Sequence, residues 1–192
     1  TLFPEYEPKD WTDDRLGDTL DALYRKGLEG IQGAISAHLV EVFELCLEVI
    51  HYDTTSVSFW GTYDAQRDQP AVMITFGYSK AHRPDLKQVV LGTAVSGDGG
   101  IPLLSKTHDG NSNDSTLPVP YWERLRQLCE TSQFCFIGDC KVSSQKTLKA
   151  ICTHDGLFVS PLAMSTAEQK SLRKKLQEGT LRFEPLQQEE EN

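Results

Sequence analysis

Apolar residues in the first fifty positions recur at the spacing of an α-helix. Glycines at 27, 30 and 33 interrupt the pattern, and Asp13 and Asp14 stand where a helix N-terminus favours negative charge. The pattern therefore predicts two helices, near 15–27 and 31–45. Its apolar positions are Leu16, Leu20, Leu23, Tyr24, Ile31, Ile35, Leu39 and Phe43.

After Glu48 the pattern changes to that of β-strands. Residues 49–60 are rich in β-branched and aromatic side chains and end at Gly61. Residues 71–78 alternate apolar and polar positions, and 89–95 form another apolar run. A glycine-rich turn at 97–100 precedes a short extended segment, 101–104. The sequence thus predicts three strands that follow one another as a meander.

Strand–helix units are predicted for the rest of the chain, after a polar loop at 105–118. The fold class expected is α/β, a mixed sheet whose later strands are parallel and covered by helices. The predicted elements are a helix starting at Pro120, a buried strand at 134–138, a helix capped by Ser143 and Ser144 and ending at Gly156, a strand at 157–159, and a helix from Ser165 to Gly179.

These patterns divide the chain into a helical N-terminal segment, 1–47, a core, 48–183, and an acidic tail, 184–192. No apolar run is long enough for a membrane span, and the acidic first residues do not form a signal peptide. Methionine occurs only at Met73 and Met164, so we expect the chain to begin inside a longer protein.

The cysteine count favours a reducing compartment, and we expect a cytoplasmic protein. The five cysteines are odd in number and form no CxxC pair. A zinc site built from Cys135, Cys140, Cys152 and His154 is the alternative, but buried or incidental thiols explain this spacing better.

A net charge of −9 disfavours nucleic-acid binding by the chain as a whole, because phosphate contacts need cations. One loop departs from this balance: Lys80, His82, Arg83 and Lys87 lie within eight residues. This basic loop is either a local strip that holds phosphates or an ordinary solvated loop.

Two aspartates interrupt or end apolar strands, namely Asp53 and Asp139. Two carboxylates on neighbouring strands would repel each other, and a divalent cation such as Mg²⁺ or Mn²⁺ would relieve the conflict. The alternative is that Asp53 faces solvent and Asp139 only caps a helix. His51 shares the strand face of Asp53 and would either support the metal ligands or be a half-buried histidine.

Several motifs resemble, in their order and spacing, those of bacterial insertion-sequence transposases of the DDE type. The similarity extends from about Leu16 to Met164. The residues that carry it are His51-Tyr52-Asp53-Thr54-Thr55-Ser56, Thr75 to Lys80, His82 to Gln88, Asp98 to Leu103, Gly110-Asn111 through Asp114-Ser115, and Ile137-Gly138-Asp139.

The resemblance implies an RNase H-like catalytic core that cuts transposon-end DNA and joins it to target DNA. Asp53 and Asp139 would be the first and second metal-binding catalytic acids, with Asn111 and Asp114 as possible supporting residues. Two Mg²⁺ or Mn²⁺ ions would activate the nucleophile and stabilise the leaving oxygen. The family further implies DNA as partner, a homo-oligomer for the intact protein and a bacterial cytoplasm.

The sequence departs from the family at the third acid, a glutamate within a tyrosine–arginine–glutamate–lysine signature. Glu168 and Glu178 follow Asp139 too soon and lack that context. We therefore expect a truncated catalytic core. Two alternatives remain open: a non-catalytic RNase H-like module that binds but does not cut, and an unrelated cytosolic metal-dependent phosphodiesterase.

Overall fold

The computed structural model describes residues 7–63, 72–79, 82–163 and 167–181. Within them five strands form one mixed sheet in the order β3-β2-β1-β4-β5. The strands are β1 (Val49–Phe59), β2 (Lys87–Ser96), β3 (Pro102–Asp109), β4 (Cys135–Gly138) and β5 (Leu157–Val159). The helices are α1 (Asp13–Lys26), α2 (Leu28–Val42), α3 (Pro118–Leu128), α4 (Gln145–Cys152) and α5 (Ala167–Gln177). Single 3₁₀ turns lie at Pro8–Asp10 and Asp114–Thr116.

The strand directions confirm the predicted RNase H-like mixed sheet. β2 runs antiparallel to both β1 and β3, whereas β4 pairs parallel to β1 and β5 parallel to β4. Three sequential strands therefore precede two strand–helix units, and the long first strand, β1, lies in the centre.

Of the predicted strands, 89–95 is confirmed as part of β2, whereas 71–78 is not a strand of the sheet. The second and third strands are β2 and β3, and β3 extends into the segment predicted as a polar loop. In the described part of 71–78, Thr75 forms an isolated bridge with Gln88, and the Met73 carbonyl accepts the Gly110 N–H at 3.0 Å. The reason is that β1 and β3 occupy both edges of β2. Gln88 lies one residue beyond the last β2–β3 pair, so a bridging segment finds free backbone groups there.

The hydrophobic core lies between one face of the sheet and helices α3 and α4. Alternate residues of β1 point into it, including Ile50 and Tyr52, and α3 contributes Trp122 and Leu125, all at most 4% exposed. Gly92 in β2 leaves room for Tyr121, whose hydroxyl donates to the Gly92 carbonyl at 2.9 Å. The core therefore fixes the central strands from one side.

The N-terminal helices match the two predicted from the apolar spacing, within a few residues. Helix α2 lies on β3, where the buried Ser36 hydroxyl donates to the Leu103 carbonyl at 2.7 Å. Lys106 on β3 also forms an ion pair with Glu29 on α2, 2.5 Å between Nζ and Oε1. Helix α1 buries no residue. The predicted acidic tail and the N-cap Ser165 lie outside the described residues.

Candidate functional site

Parallel pairing of β1 and β4 brings the two candidate acids to neighbouring positions. Tyr52 pairs with Gly138 in the parallel register. Asp53 follows Tyr52 in the chain and Asp139 follows Gly138, so the two aspartates are at adjacent positions. Parallel strands lie about 4.8 Å apart. Both aspartates are exposed. The arrangement depends on Gly138 ending β4 while β1 continues to Phe59.

Strand alternation sets the direction of Asp53. Tyr52 and Thr54 point into the core, so Asp53 and His51 occupy the opposite, exposed face of β1. The backbone N–H of Thr54 donates to Asp53 Oδ1 at 2.7 Å. On β2 the paired residue is Thr93, whose hydroxyl receives a hydrogen bond of 3.4 Å from Ser105. Asp53 therefore lies on a polar strip that crosses three strands.

Asp139 is held by a tight turn between β4 and α4. Its Oδ1 accepts the backbone N–H of Lys141 at 2.9 Å, and its carbonyl accepts that of Val142 at 3.0 Å. The Ser160 hydroxyl, just after β5, donates to the same carbonyl at 2.6 Å. Val142 is fully buried and anchors the turn. The Asp139 carboxylate thus has a defined position at the end of β4.

Gly138 is required by close packing at this turn. A Cβ atom there would lie 2.5 Å from Val142 Cγ2 and 3.1 Å from the Tyr52 carbonyl oxygen. Such contacts force the neighbouring groups to move. The glycine before Asp139 is therefore part of what positions the carboxylate.

Tyr52 precedes Asp53 in β1 with its side chain on the core face, and its buried hydroxyl has no hydrogen-bond partner among the described residues. Burial raises the pKa of Tyr52 most strongly, and the charges of Tyr121, Asp114, Asp139 and Asp53 raise the pKa further. Ionisation of the Tyr52 phenol is therefore opposed first by burial and then by these negative charges.

Asp114 and Asn111 lie in the connection between β3 and α3. Asp114 begins a 3₁₀ turn capped by Asn113, whose Oδ1 accepts the backbone N–H of Ser115 at 3.0 Å. Asp114 is half-buried, whereas Asn111 is exposed in the turn after β3. The charge of Asp114 raises the pKa of Tyr52, as do those of Asp139 and Asp53.

The predicted basic loop is only partly described, since Lys80 lies outside the described residues. Arg83 forms a two-point contact with Asp85, 2.8 Å from Nε to Oδ1 and 2.6 Å from Nη2 to Oδ2. Its guanidinium also lies 4.8 Å from the centre of the Trp60 ring. Lys87 donates to the Thr62 carbonyl and lies over Phe76. His82 is exposed.

The donors at the sheet edge suit a divalent cation in kind, because carboxylate oxygens are the ligands that Mg²⁺ and Mn²⁺ prefer. One oxygen of Asp53 and one of Asp139 accept backbone N–H groups. Across the described ranges, however, no three His, Cys, Asp or Glu side chains are grouped closely enough to hold a metal ion. The site therefore supplies two carboxylates, and a third ligand is not among the residues seen.

A cavity of about 800 Å³ lies elsewhere, between α2, β3 and α3. Apolar side chains such as Leu103, Leu125 and Leu128 line much of it, and Arg124 and Lys106 add positive charge. None of the three aspartates lines this cavity. The candidate acids therefore lie at the exposed sheet edge and outside the cavity.

Sequence reasoning missed several residues that build this region. Val142 and Ser160 hold the Asp139 turn. The Gln88 side-chain amide connects the 72–79 segment to the sheet, since it donates to the Gly110 carbonyl at 2.8 Å and to the Tyr78 carbonyl at 3.2 Å. Gln88 is 2% exposed. An amide directly before the apolar run 89–95 was the available signal. His154, a candidate zinc ligand by sequence, stacks on Trp122 with ring centres 5.7 Å apart.

Among the helices described, none is long and apolar enough to cross a membrane. No protein-family model matches the sequence, and no curated protein matches it.

The solved structures to which this chain is similar include complexes and a domain of the Mos1 transposase. The Mos1 transposase paired-end complex with left transposon end gives a TM-score of 0.36 at 11% identity, covering 77% of this chain and 52% of that one. The Mos1 mariner paired end complex with Mn gives 0.35 at 10% identity, covering 96% and 65%. The catalytic domain of Mos1 mariner transposase gives 0.34 at 9% identity, covering 80% and 71%. This chain spans about half the length of the first of these structures. A likeness at this level does not identify an activity.

Proposed function

We propose that this chain is part of the catalytic core of a DDE transposase, which cuts transposon-end DNA and joins it to target DNA by metal-dependent phosphoryl transfer. The observation that carries the proposal is the register of Tyr52 with Gly138, because it makes Asp53 and Asp139 neighbours across two parallel strands. The motifs that resemble those of bacterial insertion-sequence transposases support the same assignment. Transposon-end and target DNA are the partners proposed, with a homo-oligomer as the state of the intact protein.

In this proposal Asp53 and Asp139 hold Mg²⁺ or Mn²⁺. The metal would supply an activated attacking oxygen and charge stabilisation for the leaving oxygen. The chain itself contributes orientation: the Thr54 and Lys141 N–H groups fix one oxygen of each carboxylate. Such fixed geometry matters because productive sites tolerate deviations of only about 0.5 Å. His51, Asn111 and Asp114 are proposed as supporting residues, and the basic loop as a DNA contact.

Manganese titration followed by electron paramagnetic resonance tests the metal site directly. Asp53→Asn and Asp139→Asn each remove one charged ligand but keep the shape of the side chain, so each should weaken Mn²⁺ binding by about tenfold or more. Asp155→Asn is the matched control. Asp155 is exposed between α4 and β5, and its φ of 55° also suits asparagine. Equal Mn²⁺ binding by all four proteins would refute the metal site.

A non-catalytic nucleic-acid-binding module is the second candidate function. It is favoured by the finding that the described residues offer two carboxylates and no third ligand. The two candidates differ in one measurement: a binding module keeps its DNA affinity when Asp53 and Asp139 are both replaced by asparagine and shows no dependence on Mn²⁺.

A further inference from the structure

The segment between β4 and the end of α4 concentrates positive charge beside Asp139. Residues 140–152 contain Lys141, Lys146 and Lys149 and no acid, in a chain whose net charge is −9. All three lysines are exposed. In the parts of the chain that the structure describes, none of them forms an ion pair with a carboxylate. We call these three residues the α4 lysine strip.

The strip is rigidly connected to the candidate site. The Lys141 N–H donates to Asp139 Oδ1 at 2.9 Å, and the Ser144 N–H donates to the Lys141 carbonyl at 3.3 Å. The Ser144 side chain then caps α4 by accepting the Thr147 N–H at 3.3 Å. The buried Val142 holds the turn against the core. Lys141 and the start of α4 therefore have a fixed relation to the Asp139 carboxylate.

Helical spacing aligns the other two lysines. Lys146 and Lys149 are three residues apart and share the exposed face of α4, while Thr147 and Ile151 point into the core. Lys146 lies in the first turn, where the backbone N–H groups add partial positive charge. The strip thus continues from the Asp139 turn along one helix face.

Two cations of the basic loop, Arg83 and Lys87, already have partners within the chain. Arg83 is neutralised by Asp85 at 2.6 Å, and Lys87 is bonded to the Thr62 carbonyl. A phosphate would have to compete with these internal partners, whereas no ion pair with a described residue competes at the α4 lysine strip. A phosphate that binds Lys141, Lys146 or Lys149 therefore loses less binding free energy to competing internal partners than one that binds Arg83 or Lys87.

We propose that the α4 lysine strip binds the phosphate backbone of duplex DNA and guides it to the Asp53–Asp139 edge. This inference rests on the proposed function, since it assigns the DNA track of that same site. Backbone contacts of this kind set position and affinity and carry no sequence preference.

Fluorescence anisotropy with a labelled 30-base-pair duplex, in EDTA and over a series of salt concentrations, tests the strip. The variant K141Q/K146Q/K149Q should lower the slope of log K against log salt by about 0.9 for each phosphate that is no longer neutralised, or about 3 in all. The matched control is K170Q/K174Q/K175Q in α5, which removes the same charge from another exposed helix. Equal slopes for the parent and the strip variant, or equally reduced slopes for both variants, would overturn the proposal.

Lysine acetylation of the unmutated chain, read by mass spectrometry, gives an independent result. Bound duplex should protect Lys141, Lys146 and Lys149 and leave Lys170 and Lys175 reactive. Unchanged acetylation of the strip at saturating DNA would overturn the proposal, as would the absence of any DNA binding. Because neither assay contains metal, a failed Mn²⁺ test with Asp53→Asn would refute the catalytic proposal and leave this result standing.

Discussion

Gly138 lies directly beneath Val142, so closely that a Cβ atom on residue 138 would be 2.5 Å from Val142 Cγ2. Gly138→Ala should therefore destabilise the protein by about 1–3 kcal/mol and displace the Asp139 turn. Gly30→Ala is the control, because a Cβ there meets no atom within 4 Å and alanine favours the helix. Urea unfolding should show a lower free energy of unfolding for Gly138→Ala than for Gly30→Ala. Equal stability of the parent and Gly138→Ala would show that the turn accommodates a Cβ atom without cost.

Tyr52 and Tyr121 have ring centres 4.8 Å apart. Loss of the hydroxyl should change the free energy of unfolding in opposite directions at these two positions. Tyr52→Phe removes a buried hydroxyl without a partner among the described residues. We expect a gain in stability of about 1 kcal/mol. Tyr121→Phe removes hydrogen bonds to the Gly92 and Lys106 carbonyls and should cost about 1–3 kcal/mol. A loss of stability in Tyr52→Phe equal to that in Tyr121→Phe would contradict this expectation.

Removal of the hydrogen bond from Ser36 to the Leu103 carbonyl tests whether the N-terminal helices unfold together with the sheet. Ser36→Ala leaves a buried carbonyl unpaired, so it should lower the free energy of unfolding by about 1 kcal/mol in one cooperative transition. Thr19→Ala, which removes an exposed bond within α1, is the control and should change little. If Ser36→Ala left the sheet's unfolding unaltered, the helices would be an independent unit.

His108 should make the stability depend on pH. Burial lowers the pKa of His108 below its usual 6.5, the Lys106 charge lowers it further, and Asp109 opposes them. The unfolded chain therefore binds more protons than the folded protein below about pH 6.5, and stability falls as the pH drops through this range. The Tm of His108→Gln should fall less than that of the parent between pH 7.5 and 5.5. Parallel Tm curves for the two proteins would exclude His108 as the cause.

We expect the purified 192-residue chain not to cut transposon-end duplex in Mg²⁺ or Mn²⁺. The described residues supply two carboxylates, and an incomplete ligand set holds the ions too loosely for phosphoryl transfer. A nicking assay on labelled duplex checks this. Metal-dependent nicking that disappears in Asp139→Ala would reveal a third ligand within the chain.

Local patterns were sufficient for much of the fold. The periodic apolar residues predicted α1 and α2, the apolar run at 134–138 predicted β4, and Ser144 marked the start of α4, which ends at Cys152, before the predicted stop at Gly156. Each of these signals comes from residues close together in the chain, where backbone preference and side-chain spacing agree. The pairing of Asp53 with Asp139 as candidate acids also came from sequence, because each stands out against an apolar strand.

Other features depended on contacts between distant residues. The alternation of 71–78 is typical of a strand, yet both edges of β2 are taken by β1 and β3. The described part of the segment therefore makes an isolated bridge at Thr75 and accepts the Gly110 N–H at the Met73 carbonyl. The charge of the basic loop was visible in the sequence, but its pairing with Asp85 and its contact with Trp60 were not. Sequence composition thus determines which groups the chain carries. The tertiary structure decides which of these groups already have a partner. The reason is that the pairing of a strand edge or a charged side chain depends on the neighbours that folding brings next to it.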